Sequence, residues 1–150
     1  MIAHGFFLEH ILTIPIIAWC IGQVVKYIIR VGNSRFNRKY IWGSGGMPSV
    51  HSCFVLALST AVAFKHGINS TEFAVVLSFS GIVVYDAMHV RYQSGVHATV
   101  INQLVETHSF DLSKDFLKQF PLHEEVGHTP LEVAVGMILG VFVGTLLSLY

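Results

Sequence analysis

The chain has 150 residues, of which 53% are hydrophobic and only 12% charged, about half the charged share of an ordinary soluble domain. Nine Lys and Arg balance nine Asp and Glu, so the basic surface of a nucleic-acid binder is missing and no nucleic-acid partner is expected. With a mean hydropathy of +0.61, the apolar excess is more than a small soluble core can bury and points to lipid.

The expectation is therefore one membrane-embedded domain over residues 1–150, all-α, a polytopic bundle of about four transmembrane helices. Met1-Ile2-Ala3-His4-Gly5 lacks the basic region and small-residue cleavage site of a signal peptide, so the first apolar segment is expected to be kept. That segment, residues 11–29, matches the roughly 20 helical residues that cross a bilayer. Lys26 and Arg30 lie at its end, where a long cationic side chain can snorkel to the interface. The following loop carries Arg30, Arg35, Arg38 and Lys39 and no acid, which the positive-inside rule places in the cytoplasm. Both termini then face the opposite side.

Two shorter apolar runs come next, residues 53–64 and 73–84. With their more polar ends included, 49–66 and 72–90, they reach spanning length; a buried or re-entrant hairpin is the other reading of cores this short. Between them Gly67-Ile68-Asn69-Ser70 makes a tight turn, and Asn69 or Ser70 suits a helix N-cap. Residues 91–127 are mixed in charge, with an amphipathic stretch around 110–120 expected to lie along the membrane surface. The last span, residues 131–150, carries Gly136, Gly140 and Gly144. Glycine at four-residue spacing makes a flat stripe for another helix, either in the same chain or in a homodimer partner. Cys20 and Cys53 both sit inside apolar runs and read as small core residues.

Three polar clusters interrupt this pattern. The first, Gly43-Ser44-Gly45-Gly46-Met47-Pro48-Ser49-Val50-His51-Ser52, is a glycine-rich turn running into a helix. Backbone amides approach an anion closely there, and a helix N-terminus favours negative charge. Ser49 is also a natural N-cap. The second, Tyr85-Asp86-Ala87-Met88-His89-Val90-Arg91, lies where the third helix is expected to leave lipid. Arg91 suits a phosphate, and Asp86 can orient Arg91 or a histidine, hold a metal, or simply pair with a snorkelling arginine. Asn102 is a weaker candidate for closing this region. The third is Gly127-His128-Thr129-Pro130-Leu131-Glu132, where Thr129 and Glu132 form a capping box with Pro130 at the first helical position. Alternatively, Glu132 holds one nitrogen of His128 and frees the other as nucleophile or base. His123 and His128 are five apart, not four, so they do not form a zinc-protease motif.

Taken together, Gly45-Gly46-Met47-Pro48-Ser49-Val50-His51-Ser52, Tyr85-Asp86-Ala87 with Val90-Arg91, and Gly127-His128-Thr129-Pro130-Leu131-Glu132-Val133 resemble the divergent branch of the type 2 phosphatidic acid phosphatase superfamily, related to acid phosphatases and vanadium-dependent haloperoxidases. The resemblance covers roughly residues 23–144 and keeps the family order. It implies a membrane phosphatase hydrolysing a lipid phosphate or diphosphate without a cofactor. By that resemblance His128 is the nucleophile that forms a phosphohistidine, Glu132 orients it, His51 protonates the leaving oxygen and Ser49 binds the phosphate. Gly45 and Gly46 line the same turn. The wider superfamily has Gly where this chain has Val50 and Asp where it has Glu132. Its Lys/Arg-Pro and Ser-Arg phosphate ligands are absent, and Lys26 and Arg91 are the cations expected in their stead. The alternative is a non-catalytic lipid-head-group-binding or assembly subunit on the same scaffold.

Overall fold

A computed structural model describes residues 6–32, 45–107, 121–124 and 126–150. The expected amphipathic stretch around 110–120, Gly43, Ser44 and the cations Arg35, Arg38 and Lys39 lie outside the described residues. The described elements are helices: α1 (Phe6–Glu9), α2 (Thr13–Val31), α3 (Val50–His66), α4 (Thr71–Tyr85), a π-helical turn (Asp86–Val90), α5 (Arg91–Thr107) and α6 (Pro130–Ser148). Three helical stretches, 13–31, 71–107 and 130–148, are long and apolar enough to cross a membrane, and α3 is a shorter apolar helix.

Local chemistry sets the helix ends. Ser49 caps α3 by accepting from the Ser52 N–H, and the helix stops at Gly67, whose φ of 87° an L side chain rarely adopts. Ser70 caps α4 by accepting from the Phe73 N–H at 3.1 Å. Thr129 and Glu132 form the capping box of α6, with Pro130 at its first position.

Helix α3 is the centre of the bundle, packed against α2, α4 and α6. Its contact with α6 is backbone against backbone. A Cβ at Gly136 would stand 2.3 Å from the Ser49 carbonyl oxygen, one at Gly140 2.3 Å from that of Cys53, and one at Gly144 2.9 Å from Thr60 Cβ. The glycine stripe is thus used within the chain, against α3. Around this seam Ile14 and Ala18 of α2 join Cys53, Ala57, Ala61 and Val143 in a buried cluster. Helix α4 is peripheral, with Ser80 its buried residue. Ser80 Oγ lies 2.9 Å from Ser59 Oγ, and both reach the Val55 carbonyl. Exposed Val75, Phe79 and Ile82 face outward, at no cost if lipid surrounds them.

One expectation is overturned. The third helix does not end near Val90; it runs through the π turn to Thr107, 37 residues in all, about 55 Å at 1.5 Å per residue. That is well beyond the ~30 Å hydrocarbon layer. No proline interrupts the stretch, and α5 finds its own partner, burying Gly95, Ala98 and Asn102 beneath a returning strap, residues 121–124 and 126–128. The fall in hydropathy after Val90 reflects the more polar composition of α5. It does not mark the end of the helix.

Candidate functional site

His128 occupies the junction between the strap and α6. It is 2% exposed, and Glu132 Oε2 stands 3.3 Å from its Nδ1. The same oxygen accepts from the Thr129 N–H at 3.0 Å while Thr129 Oγ1 accepts from the Glu132 N–H at 3.4 Å. Capping and orienting, two rival readings of Glu132, are performed by one carboxylate oxygen. A carboxylate at Nδ1 favours the proton there and leaves the lone pair on Nε2. Nε2 is buried and has no hydrogen-bond partner among the described residues, an arrangement that costs stability and usually has a functional reason.

The backbone of His128 is docked on the π turn. Its N–H donates to the Ala87 carbonyl at 3.0 Å. Gly127 (φ 83°) permits this approach, because a Cβ there would lie 2.3 Å from the Tyr92 nitrogen. A π turn is wider than an α turn and commonly marks a functional position. It also brings Asp86 and Arg91, five residues apart, onto one face: Arg91 Nε donates to Asp86 Oδ2 at 2.6 Å, both side chains partly exposed. On a regular α-helix five steps would turn them about 140° apart. Asp86 is therefore the ion-pair partner of Arg91.

The start of α3 meets the start of α6. The Ser49 N–H donates to the Glu132 carbonyl at 2.9 Å. Ser49 Oγ is buried and accepts from the Ser52 N–H at 3.4 Å and the Ser52 hydroxyl at 3.0 Å, so its own proton is used in neither bond. His51, in the first turn of α3, is exposed, and its ring lies edge-on to His128 with centroids 6.2 Å apart. The charges of Arg91, Lys26 and Asp86 act on it. Lys26, 5% exposed, is in turn subject to the charges of Arg30 and Glu132. Two helix N-termini, two imidazoles and buried or half-buried cations thus share one neighbourhood, a setting suited to an anion.

Among the expected phosphate ligands, Lys26 and Ser49 lie deepest, whereas Arg91 stands at the rim in its pair with Asp86. Gly45 is buried and Gly46 has a φ of 89°. Arg30 clasps this turn, donating from Nη2 to the Gly45 carbonyl at 2.6 Å. Sequence reading places Arg30 on the right side of the bundle but not on the glycine turn, a contact with no signature in linear spacing. His123 sits on the extended strap, away from any helix it could share with His128.

The family model described as the divergent PAP2 family matches residues 7–143. The uncharacterized membrane protein YuiD of Bacillus subtilis (strain 168) is 38% identical over 138 residues, covering 86% of this chain and 87% of that relative. No solved structure matches the chain. The apolar helices, the order of the three motifs and these two matches agree: the chain is an integral membrane protein and belongs to the divergent PAP2 family.

Proposed function

We propose that this protein is a membrane phosphohydrolase that cleaves a lipid phosphate or diphosphate through a histidine nucleophile, working at the cytoplasmic face. The observation that carries the reading is His128 itself: Nδ1 held by Glu132, Nε2 buried without a partner among the described residues, and His51 edge-on beside it. In the first step Nε2 of His128 attacks phosphorus and the bond from phosphorus to the lipid oxygen breaks. His51 gives its proton to the departing oxygen. In the second, water attacks the phosphohistidine, His51 takes the proton back, and the phosphorus–nitrogen bond breaks to release inorganic phosphate. Glu132 stabilises the positive charge that His128 gains during each step.

The Ser49 hydroxyl, Lys26 and the amides of the Gly45–Gly46 turn bind the phosphoryl oxygens, with Arg91 at the rim. Removing one such preorganised donor typically costs about 10²–10³ in turnover. An amphiphilic substrate keeps its tail in lipid while its head reaches this end of the helices. The cytoplasmic assignment rests on Lys26, Arg30 and the basic loop that follows. None of these steps routes through a metal or cofactor.

The test is phosphate release by the purified protein from short-chain phosphatidic acid and a short-chain isoprenyl diphosphate, beside a His128→Ala variant. Release should fall by at least about 10³-fold, and an acid-labile phosphate should label wild type but not the variant. Equal release from both would falsify the mechanism. Vanadate binding by wild type without turnover would instead assign the chain to head-group binding or assembly.

A further inference from the structure

We infer that Asn102, well outside the candidate phosphate site, is a positioning residue for His128, acting through the strap that it clamps to α5. This inference rests on the catalytic reading of His128. Asn102 is 5% exposed, and three of the four hydrogen bonds that its amide can make are made to the strap. Nδ2 donates to the Leu122 carbonyl at 2.9 Å and to Glu124 Oε1 at 2.7 Å, and Oδ1 accepts from the Leu122 N–H at 2.8 Å. Giving to and taking from the same backbone residue is how a neighbouring strand would pair with it, so the side chain holds Leu122 in register along α5.

Below that clamp the described strap residues 122–124 and 126–128 lie against α5. At the next level a Cβ on Gly95 would stand 2.6 Å from the Glu124 carbonyl oxygen and 2.9 Å from that of Val126. One level lower, Gly127 lies against Arg91 and Tyr92 so closely that its own Cβ would be 2.3 Å from the Tyr92 nitrogen. The strap ends where the His128 N–H meets the Ala87 carbonyl. Glycine on both surfaces makes this a backbone-on-backbone contact, which a small displacement cannot relieve by a rotamer change. A strap loosened at Leu122 therefore shifts or frees the residue at its other end. Nucleophile placement tolerates little of this, since a misplacement of about 1 Å can cost about 10²-fold.

The experiment uses the full chain in lipid nanodiscs, with three variants: Asn102→Ala, Glu124→Ala, and the double change Asn102→Asp with Glu124→Gln. Turnover and KM on a short-chain lipid phosphate are read together with the ¹⁵N signals of the His128 ring. Asn102→Ala should lower kcat about tenfold with KM within about twofold and shift or broaden the ring signals. Glu124→Ala keeps two of the three bonds and should lower kcat less than about threefold. In the double variant the carboxylate introduced at position 102 accepts from the Leu122 N–H and from the amide introduced at 124, but it turns an acceptor toward the Leu122 carbonyl. It should therefore lose at least as much kcat as Asn102→Ala and disturb the ring signals as strongly. The inference is overturned if a folded Asn102→Ala leaves both unchanged, or if kcat falls only in step with thermal stability while the ring signals stay put. Should Asn102→Ala fail to fold, Glu124→Ala decides it by the same readouts: kcat and ring signals both unchanged overturn the inference. A wild type that releases no phosphate ends the catalytic reading, whereas the ring signals still decide whether Asn102 sets the place of His128.

Discussion

Two regions hold His128 and Glu132 in place, and they are built on opposite principles. The seam between α3 and α6 lies among apolar spans and is made by leaving side chains out: Gly136 and Gly140 bring α6 onto the backbone of Ser49 and Cys53. Between helices in lipid there is no hydrophobic force to exploit, so close van der Waals approach does the joining. The junction of α5 with its strap is more polar and is joined by hydrogen bonds from Asn102 to Leu122 and Glu124. A strap with no helix of its own must find partners for its peptide groups elsewhere. Glycine serves both regions, as a helix-packing residue in one and as a docking point for an irregular chain in the other. The difference teaches that the seam secures the bundle, while the strap sets the position of one side chain.

The sharpest way to break that division is Gly127→Ala, which combines an unfavourable φ with a backbone clash against Tyr92. Phosphate release should fall about 10²-fold, with a much smaller change in melting temperature. Glu132→Gln comes next: the amide oxygen still accepts from the Thr129 N–H, but the charge facing His128 is gone. Steady-state assays should show turnover reduced at least about tenfold, while thermal unfolding shifts by less than about 1 kcal/mol. Gly140→Ala should show the converse, a stability loss of about 1–3 kcal/mol from overpacking, read by thermal unfolding in detergent, with the activity of the remaining folded protein largely kept. Equal effects of Gly127→Ala and Gly140→Ala on both readouts would erase the distinction between the regions. Ser80→Ala removes the Ser59–Ser80 link and should cost about 0.6 kcal/mol, the average for a hydrogen bond between membrane helices. Asp86→Asn loosens a partly exposed ion pair and should cost no more than a few tenths of a kcal/mol, its visible effect being a changed affinity for anionic substrate through a freed Arg91.

Much of the bundle is legible in the residues because its determinants are local. Ser49, Ser70 and the Thr129–Glu132 pair cap the helices that their sequence positions announce, since each needs only a side chain and an N–H two or three residues away. The four-residue glycine spacing announces a close helix contact, though not that α3 is the partner. Val90 is a false boundary because a fall in hydropathy does not end a helix, and α5 stays helical while burying Gly95 and Asn102 under the strap. Neither Arg30 on the glycine turn nor Asn102 on the strap can be read from spacing. Each joins segments distant in the chain, and no periodicity encodes such a meeting.

The residues alone determined that this is a membrane protein of apolar helices, where most of those helices begin, and which three polar motifs mark it as a divergent PAP2 family member. Transfer free energy and capping depend on composition and near neighbours, so these properties are written along the chain. The alternation of spans already puts the three motifs at one end; tertiary structure alone decided their contacts there, with Ser49 bonded to the Glu132 backbone, His51 beside His128, and His128 delivered by a strap lying on α5. Those relations depend on backbone contacts between distant segments, which only packing can bring about.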